Sequence, residues 1–220
     1  MKIIFATGNR HKLNEIREIM DGCGFDIVTS KDEGIAADPE ENGETFEENA
    51  LIKARAVYDL SDGKAVVMAD DSGLCIDALG GEPGIFSARF MGHDTGYDIK
   101  NAEILRRMED VPEERRSARF VCAVAAVLPS GREVTVCEAM EGRIAHSIAG
   151  GNGFGYDPVF YLPEFGRTSA EISEHSKNLI SHRGKAIRHM LAVLSEYCAL
   201  DPQQKHSAAL NGCHEDTYRK

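Results

Sequence analysis

The chain predicts an α/β fold built on a mixed β-sheet, and three observations lead there. Near the N-terminus short apolar runs alternate with stretches of helical periodicity, the pattern of strand–helix units. Two further apolar runs, "ARFVCAVAAVL" (118–128) and "EVTVCEAM" (133–140), flank Pro129-Ser130-Gly131 and predict an antiparallel pair, which a purely parallel sheet would not contain. The 220 residues, 42% apolar and 28% charged, suffice for one large domain or two small lobes.

In chain order, "KIIFA" (2–6) is an isoleucine-rich run that suits a buried strand, and "TGN" turns the chain after it. Leu13, Ile16, Ile19 and Met20 recur at helical spacing until Asp21-Gly22 ends the helix. "FDIVT" reads as a second strand, and the acidic, glycine-containing residues 31–44 as a loop. Thr45 and Glu48 predict a capping box ahead of "FEENALIKARAVYDL", whose Phe46, Ala50, Ala54 and Val57 share a face. "AVVMA" (65–69) is the next strand, and "GGEPGIF" (80–86) must be loop. Ile99, Ile104, Leu105 and Met108 mark a helix over 97–109. "AGGNGFGYDP" (149–158) is a glycine-rich loop, and the last helix starts near Ser181 with Ile187, Met190, Leu191 and Leu194 on one side. Periodicity fades from Asp201, so a domain over 1–198 and a polar tail over 199–220 are expected.

Bulk properties narrow the function. A net charge of −11 disfavours a nucleic-acid binder, which needs a broad basic face. No apolar run approaches the roughly 20 residues of a membrane span. Met1 leads straight into "KIIFATGN" without a leader pattern, so a cytoplasmic protein is expected. The six cysteines form no CxxC pair and read as small buried residues rather than zinc ligands.

Five constellations could carry chemistry. "TGNRHK" (7–12) joins a strand to a helix, where backbone N–H groups favour an anion and Lys12 sits one turn in. It reads either as a phosphate site or as a plain turn with a solvated lysine. "ADDSG" (69–73) follows a strand, and its two acids suit Mg²⁺ or an Asp-Ser-Gly turn. Either acid is placed to face a ligand. "DPEENGE" (38–44) offers further carboxylates or is a solvated loop. "GGNGFGYDP" interrupts its glycines with Phe154 and Tyr156, which suits a flexible ring clamp for a nucleobase, with Asp157 as an acceptor. Lys177, His182 and Arg183 supply donors for a purine carbonyl. Together these parts suit a purine nucleoside triphosphate.

With those residues on the page, the chain resembles the inosine triphosphatase, or Ham1-like, family from Lys2 to about Tyr197. The motifs "ATGNRHK", "TFEENALIKA", "ADDSGL", "GGEPGIFSARF", "GGNGFGYDPVF" and "SHRGKA" appear in that family's order. The resemblance implies an elongated mixed sheet with flanking helices and two lobes around a central groove. It implies Mg²⁺-dependent hydrolysis of XTP, ITP or dITP to the monophosphate and pyrophosphate by a homodimer. It also implies roles: Thr7, Gly8, Asn9, Arg10, His11 and Lys12 on phosphate, and Asp71 as catalytic acid and metal ligand. Glu40 would be a second metal ligand, and Lys53 and Ser72 substrate contacts. Phe154, Gly155, Tyr156 and Asp157 would clamp the base, and Lys177, His182 and Arg183 complete the substrate contacts. Phe86 and Phe90 stand where many relatives carry Tyr, Arg167 replaces a frequent Lys, and "EHSK" replaces a more acidic stretch before Lys177. A Maf-like pyrophosphatase with another base preference and a non-catalytic nucleotide-binding module are the alternatives.

Overall fold

The apolar runs at the N-terminus form Lys2–Phe5 (β1) and Asp26–Thr29 (β2), which lie parallel because Arg10–Ile19 (α1) carries the chain back between them. β1 also pairs in parallel with Val66–Ile76 (β3), reached through Phe46–Tyr58 (α2). From there the sheet turns antiparallel. Ser117–Val127 (β4) and Glu133–Ile144 (β5) form the expected hairpin, followed by the short Phe160–Leu162 (β6) and Arg167–Thr168 (β7). The resulting mixed sheet has the order β2-β1-β3-β4-β5-β6-β7. This computed structural model describes residues 1–200; the expected polar tail from 201 on lies outside the described residues.

Strand alternation sorts the core. Val66 and Met68 of β3, with Cys122, Val124 and Ala126 of β4, turn to one face. There they meet Ile16 of α1 and Ala186, Ile187, Met190 and Leu194 of His182–Leu200 (α5). Ala69, Ala123 and Ala125 turn to the other face, where Phe46, Ala50 and Ala54 of α2 pack on them, small residue against small. A second cluster covers the far end of the sheet, with Leu74, Ile76 and Phe160 against Ile104 of Tyr97–Arg107 (α3).

Four local readings need correction. β3 does not stop at Ala69; it runs to Ile76, so "ADDSG" is strand rather than a turn after one. The capping box of α2 is half formed: Glu48 N–H donates to Thr45 Oγ1 at 3.1 Å, but the Glu48 carboxylate accepts from Glu44 N–H instead of Thr45. Glu174–Ile180 (α4) was not anticipated; Ser173 caps it by accepting from Ser176 N–H. Burial holds for Cys122, whereas Cys75 is half-buried and Cys137 exposed.

Candidate active site

The cleft opens where β1 and β2 end and β3 runs on past them, near the usual ligand position beyond the carboxyl ends of parallel strands. β1 pairs with β3 only as far as Met68, and from Gly73 onward residues 82–84 close against β3. The edge of β3 between these points carries Asp70, Asp71 and Ser72. They line a cleft of about 900 Å³ together with Thr7, Gly8, Asn9, Arg10 and Lys12. Lys53, the Phe154–Asp157 segment, Lys177, His182 and Arg183 complete the wall. The structure therefore brings nearly all the expected residues to one surface.

Two residues fall otherwise. Glu40 is exposed and does not line the cleft; Glu41 does, with a carboxylate oxygen 3.4 Å from Lys53 Nζ. The chain turns tightly around Glu41, with Asn42 N–H donating to the Glu40 carbonyl at 3.1 Å, so the two adjacent carboxylates diverge and Glu41 is the one on the cleft. His11 is exposed and stands beside Phe154, with ring centroids 5.3 Å apart and planes 20° apart.

Strand geometry separates the two adjacent acids. Asp70 shares the face of Val66 and Met68 and meets α1 and α5: Lys12 Nζ lies 2.9 Å and Arg183 Nε 3.3 Å from its Oδ2. Burial alone would raise its carboxyl, but Lys12 and Arg183 overcome that and hold it far below the ordinary carboxylate range. Asp71 takes the opposite face and meets α2, with Lys53 Nζ 2.9 Å from Oδ1. Here burial prevails over Lys53 and the more distant Lys12, and the Asp71 carboxyl is raised. Lys53 is raised as well, since Asp71, Asp70 and Glu41 together outweigh its own burial. Asp70 is thus a fixed anion, and Asp71 the acid with proton affinity to use.

A buried chain of alternating charges continues from Asp70. Arg183 Nη1 donates to Glu15, Lys177 Nζ donates to Glu15 Oε1 at 3.1 Å, and Lys177 Nζ also donates to Asp157 Oδ2 at 2.6 Å. Glu15 was missed from sequence. Burial raises its carboxyl, and Arg183 and Lys177 more than reverse this, so it sits below its ordinary value. Its signal was a carboxylate one turn beyond Lys12 and beside the buried Ile16. The chain also alters the reading of Arg183, whose guanidinium already donates to Asp70, Glu15 and, at 2.9 Å, Ser72 Oγ. Asp157 likewise is engaged by Lys177, by Ser169 Oγ at 2.7 Å and by Phe154 N–H at 2.9 Å.

His182 differs from its neighbour. Its ring stacks on Phe120 at 4.9 Å, and Nδ1 is buried without a partner. Burial, then the positive charge of Arg183, pushes it well below its ordinary value, so the imidazole is neutral and one nitrogen carries a hydrogen. The first turn of α1 is partly self-satisfied: Asn9 Oδ1 accepts from His11 N–H at 2.9 Å and Lys12 N–H at 3.3 Å. Anion binding here therefore falls chiefly on side-chain ammonium groups.

The donor set also bears on a metal. Among the described residues no group of three or more His, Cys, Asp or Glu is placed to cage an ion. Mg²⁺, however, commonly takes one or two carboxylates, with water and substrate phosphate supplying the rest. Asp71 Oδ2 is buried with no hydrogen-bond partner, the kind of oxygen such an ion would satisfy.

An α/β protein with a cationic, carboxylate-bearing cleft at its strand ends belongs to the class that handles small polyanions. The sequence profile of the Ham1 family matches residues 3–193, and the chain belongs to that family. It is 45% identical over 199 residues to the dITP/XTP pyrophosphatase of Exiguobacterium sibiricum, covering 90% of this chain and 98% of that one. It is 46% identical over 190 residues to the protein of the same name from Treponema denticola, covering 85% and 95%. Among solved structures, the Staphylococcus aureus Ham1 protein superposes with a TM-score of 0.80 at 36% identity, covering 90% of this chain and 100% of that one. A HAM1 protein from Coxiella burnetii does so with 0.80 at 37%, covering 89% and 99%.

Proposed function

We propose that this protein hydrolyses non-standard purine nucleoside triphosphates (XTP, ITP and dITP) to the monophosphate and pyrophosphate, with Mg²⁺ as cofactor. The observation that carries the reading is a single cleft in which Asp71 Oδ2, beside Lys53, and His182 Nδ1 are buried without partners, as is Asp70 Oδ1. The first suits a phosphate and its cation, the second a ring carbonyl. Asp71 and Glu41 would hold Mg²⁺, with Glu41 taking the place expected for Glu40; when bound, the ion supplies positive charge to the phosphate oxygens.

The chain's own groups account for the rest. Lys12 and Lys53 offset charge on the phosphates, and Asp71, with its raised proton affinity, orients the attacking water and accepts its proton. Phosphoryl transfer asks mainly for positioning and electrostatics, so no covalent nucleophile is required. Nδ1–H of His182 donates to the C6 carbonyl of hypoxanthine or xanthine and faces the amino group of adenine unfavourably. Arg183, held by two carboxylates and Ser72, contributes by fixing this end of the cleft.

Pyrophosphate release from ITP, XTP, dITP and ATP, with and without Mg²⁺, tests the reading. Turnover of the first three that depends on Mg²⁺ and exceeds ATP turnover by about a hundredfold or more is expected. Equal rates for ATP and ITP would refute the base assignment, and binding without pyrophosphate release would refute the enzyme.

No helix among the described residues is long and apolar enough to cross a membrane. We further propose a cytoplasmic location and a homodimer, the state suggested by the family resemblance; sedimentation analysis tests the latter.

A further inference from the structure

We infer that His11 is the second jaw of the base clamp, opposite Phe154, rather than a phosphate contact of the "TGNRHK" segment. This rests on the proposal that Phe154 is the platform for the base.

The two rings face each other nearly in parallel where Phe154 borders the cleft, 5.3 Å between centroids and 20° between planes. They come from different walls. His11 lies in the first turn of α1, which carries the phosphate-side lysine, and Phe154 lies in the glycine-rich loop. The backbone of Phe154 is pinned: its N–H donates to Asp157 Oδ2, and that same oxygen receives Lys177. Lys177 Nζ and the Arg183 guanidinium stand 5.2 and 5.7 Å from the Phe154 ring centre, and both are held in buried ion pairs. His11 is exposed, so its imidazole is the neighbour of Phe154 that can swing aside.

At this spacing no ring fits between the two, so a base must either displace His11 or part the jaws. The count of stacked faces decides between these. Displacement exchanges one ring–ring contact for another. Insertion exchanges one for two, because a purine presents a π-face to each side. The two-ring stack of the empty clamp thus becomes a three-layer stack on binding. Asn9 already takes the His11 amide, which leaves the side chain as the part of this residue available to a ligand.

The test compares His11→Ala, His11→Phe and Phe154→Ala, reading KM for ITP and the inhibition constant of inorganic tripolyphosphate, which has the phosphates but no base. Loss of one stacked face raises KM in His11→Ala by about three- to tenfold, His11→Phe restores it to within about twofold, and tripolyphosphate inhibition stays within about twofold throughout. An unchanged KM in His11→Ala overturns the inference. A lowered KM shows a ring that competes with the base and overturns it too. A parallel weakening of tripolyphosphate returns His11 to the phosphates. If Phe154→Ala also leaves KM unchanged, the platform itself is refuted; if Phe154→Ala raises KM and His11→Ala does not, only the second jaw fails.

Discussion

Replacing Glu15 by Gln tests whether the cleft is held open by a neutral, buried charge chain. The chain runs Lys12, Asp70, Arg183, Glu15, Lys177, Asp157, three cations alternating with three anions. Glu15 is 9% exposed, and Lys177 and Arg183 are 4% and 2% exposed. Removing its charge leaves one uncompensated buried positive charge. Breaking a buried pair in this way costs about 3–5 kcal/mol. Gln keeps one acceptor oxygen, and each cation keeps another carboxylate, so the lower end applies. A loss of about 3 kcal/mol lowers the folding equilibrium constant by about a hundredfold.

Urea unfolding at pH 7 measures this directly. The pH dependence supplies a second check. The folded carboxyl of Glu15 lies below its ordinary value of 4.5. Its contribution is therefore complete above that value and is lost as pH falls through the lower, folded value. The gap between wild type and Glu15→Gln should be full at neutral pH and narrow in acid. A difference under about 1 kcal/mol at pH 7, against the buried-pair range, or a gap that widens on acidification, would refute the reasoning.

Asp71→Asn should lower kcat by about a hundredfold or more, with the urea midpoint nearly unchanged because burial already disfavours the Asp71 charge; near-normal turnover defeats the assignment. Gly153→Ala should raise KM for ITP and destabilise the fold by about 1–3 kcal/mol, because Gly153 has φ +73° and an added Cβ would lie 2.2 Å from Asp157 Oδ2; unchanged KM and stability would show that the glycine loop tolerates the change. His182→Ala should reduce the ITP-over-ATP preference by about tenfold or more, and an unaltered ratio in steady-state assays would remove His182 from base reading.

Much of this was legible from local pattern. Apolar runs announced β1, β2 and the β4–β5 hairpin, and the face of Phe46, Ala50, Ala54 and Val57 is the one α2 buries. The misreadings share a cause, since each turned on which neighbour a residue meets. Asp70 and Asp71 read as lying past the end of a strand, in a metal site or a turn, because two adjacent acids are costly there unless solvated, paired or metal-bound. They are tolerated inside β3 because lysines of α1 and α2 meet them from either face. Glu15 carries no local signal of its pairing, since its partners are 162 and 168 residues away. Glu41 rather than Glu40 faces the cleft through loop geometry that no periodicity encodes. Arg183 was readable as a site residue, but its engagement by two carboxylates and Ser72 was not.

The continuous pairing of β3 with β4, which sets Asp70 against Val124 and Asp71 against Ala123, has a consequence for how this enzyme can fail. Adjacent strand residues point to opposite sides, so a shift by one position would hand the ammonium of α2 the wrong acid and turn Asp71 towards the aliphatic layer. Fidelity of the chemistry is thereby tied to the alignment of a hairpin whose far end lies well away from any substrate. A one-residue insertion within β4 beside Ala123 and Val124 should silence turnover while leaving most of the sheet intact.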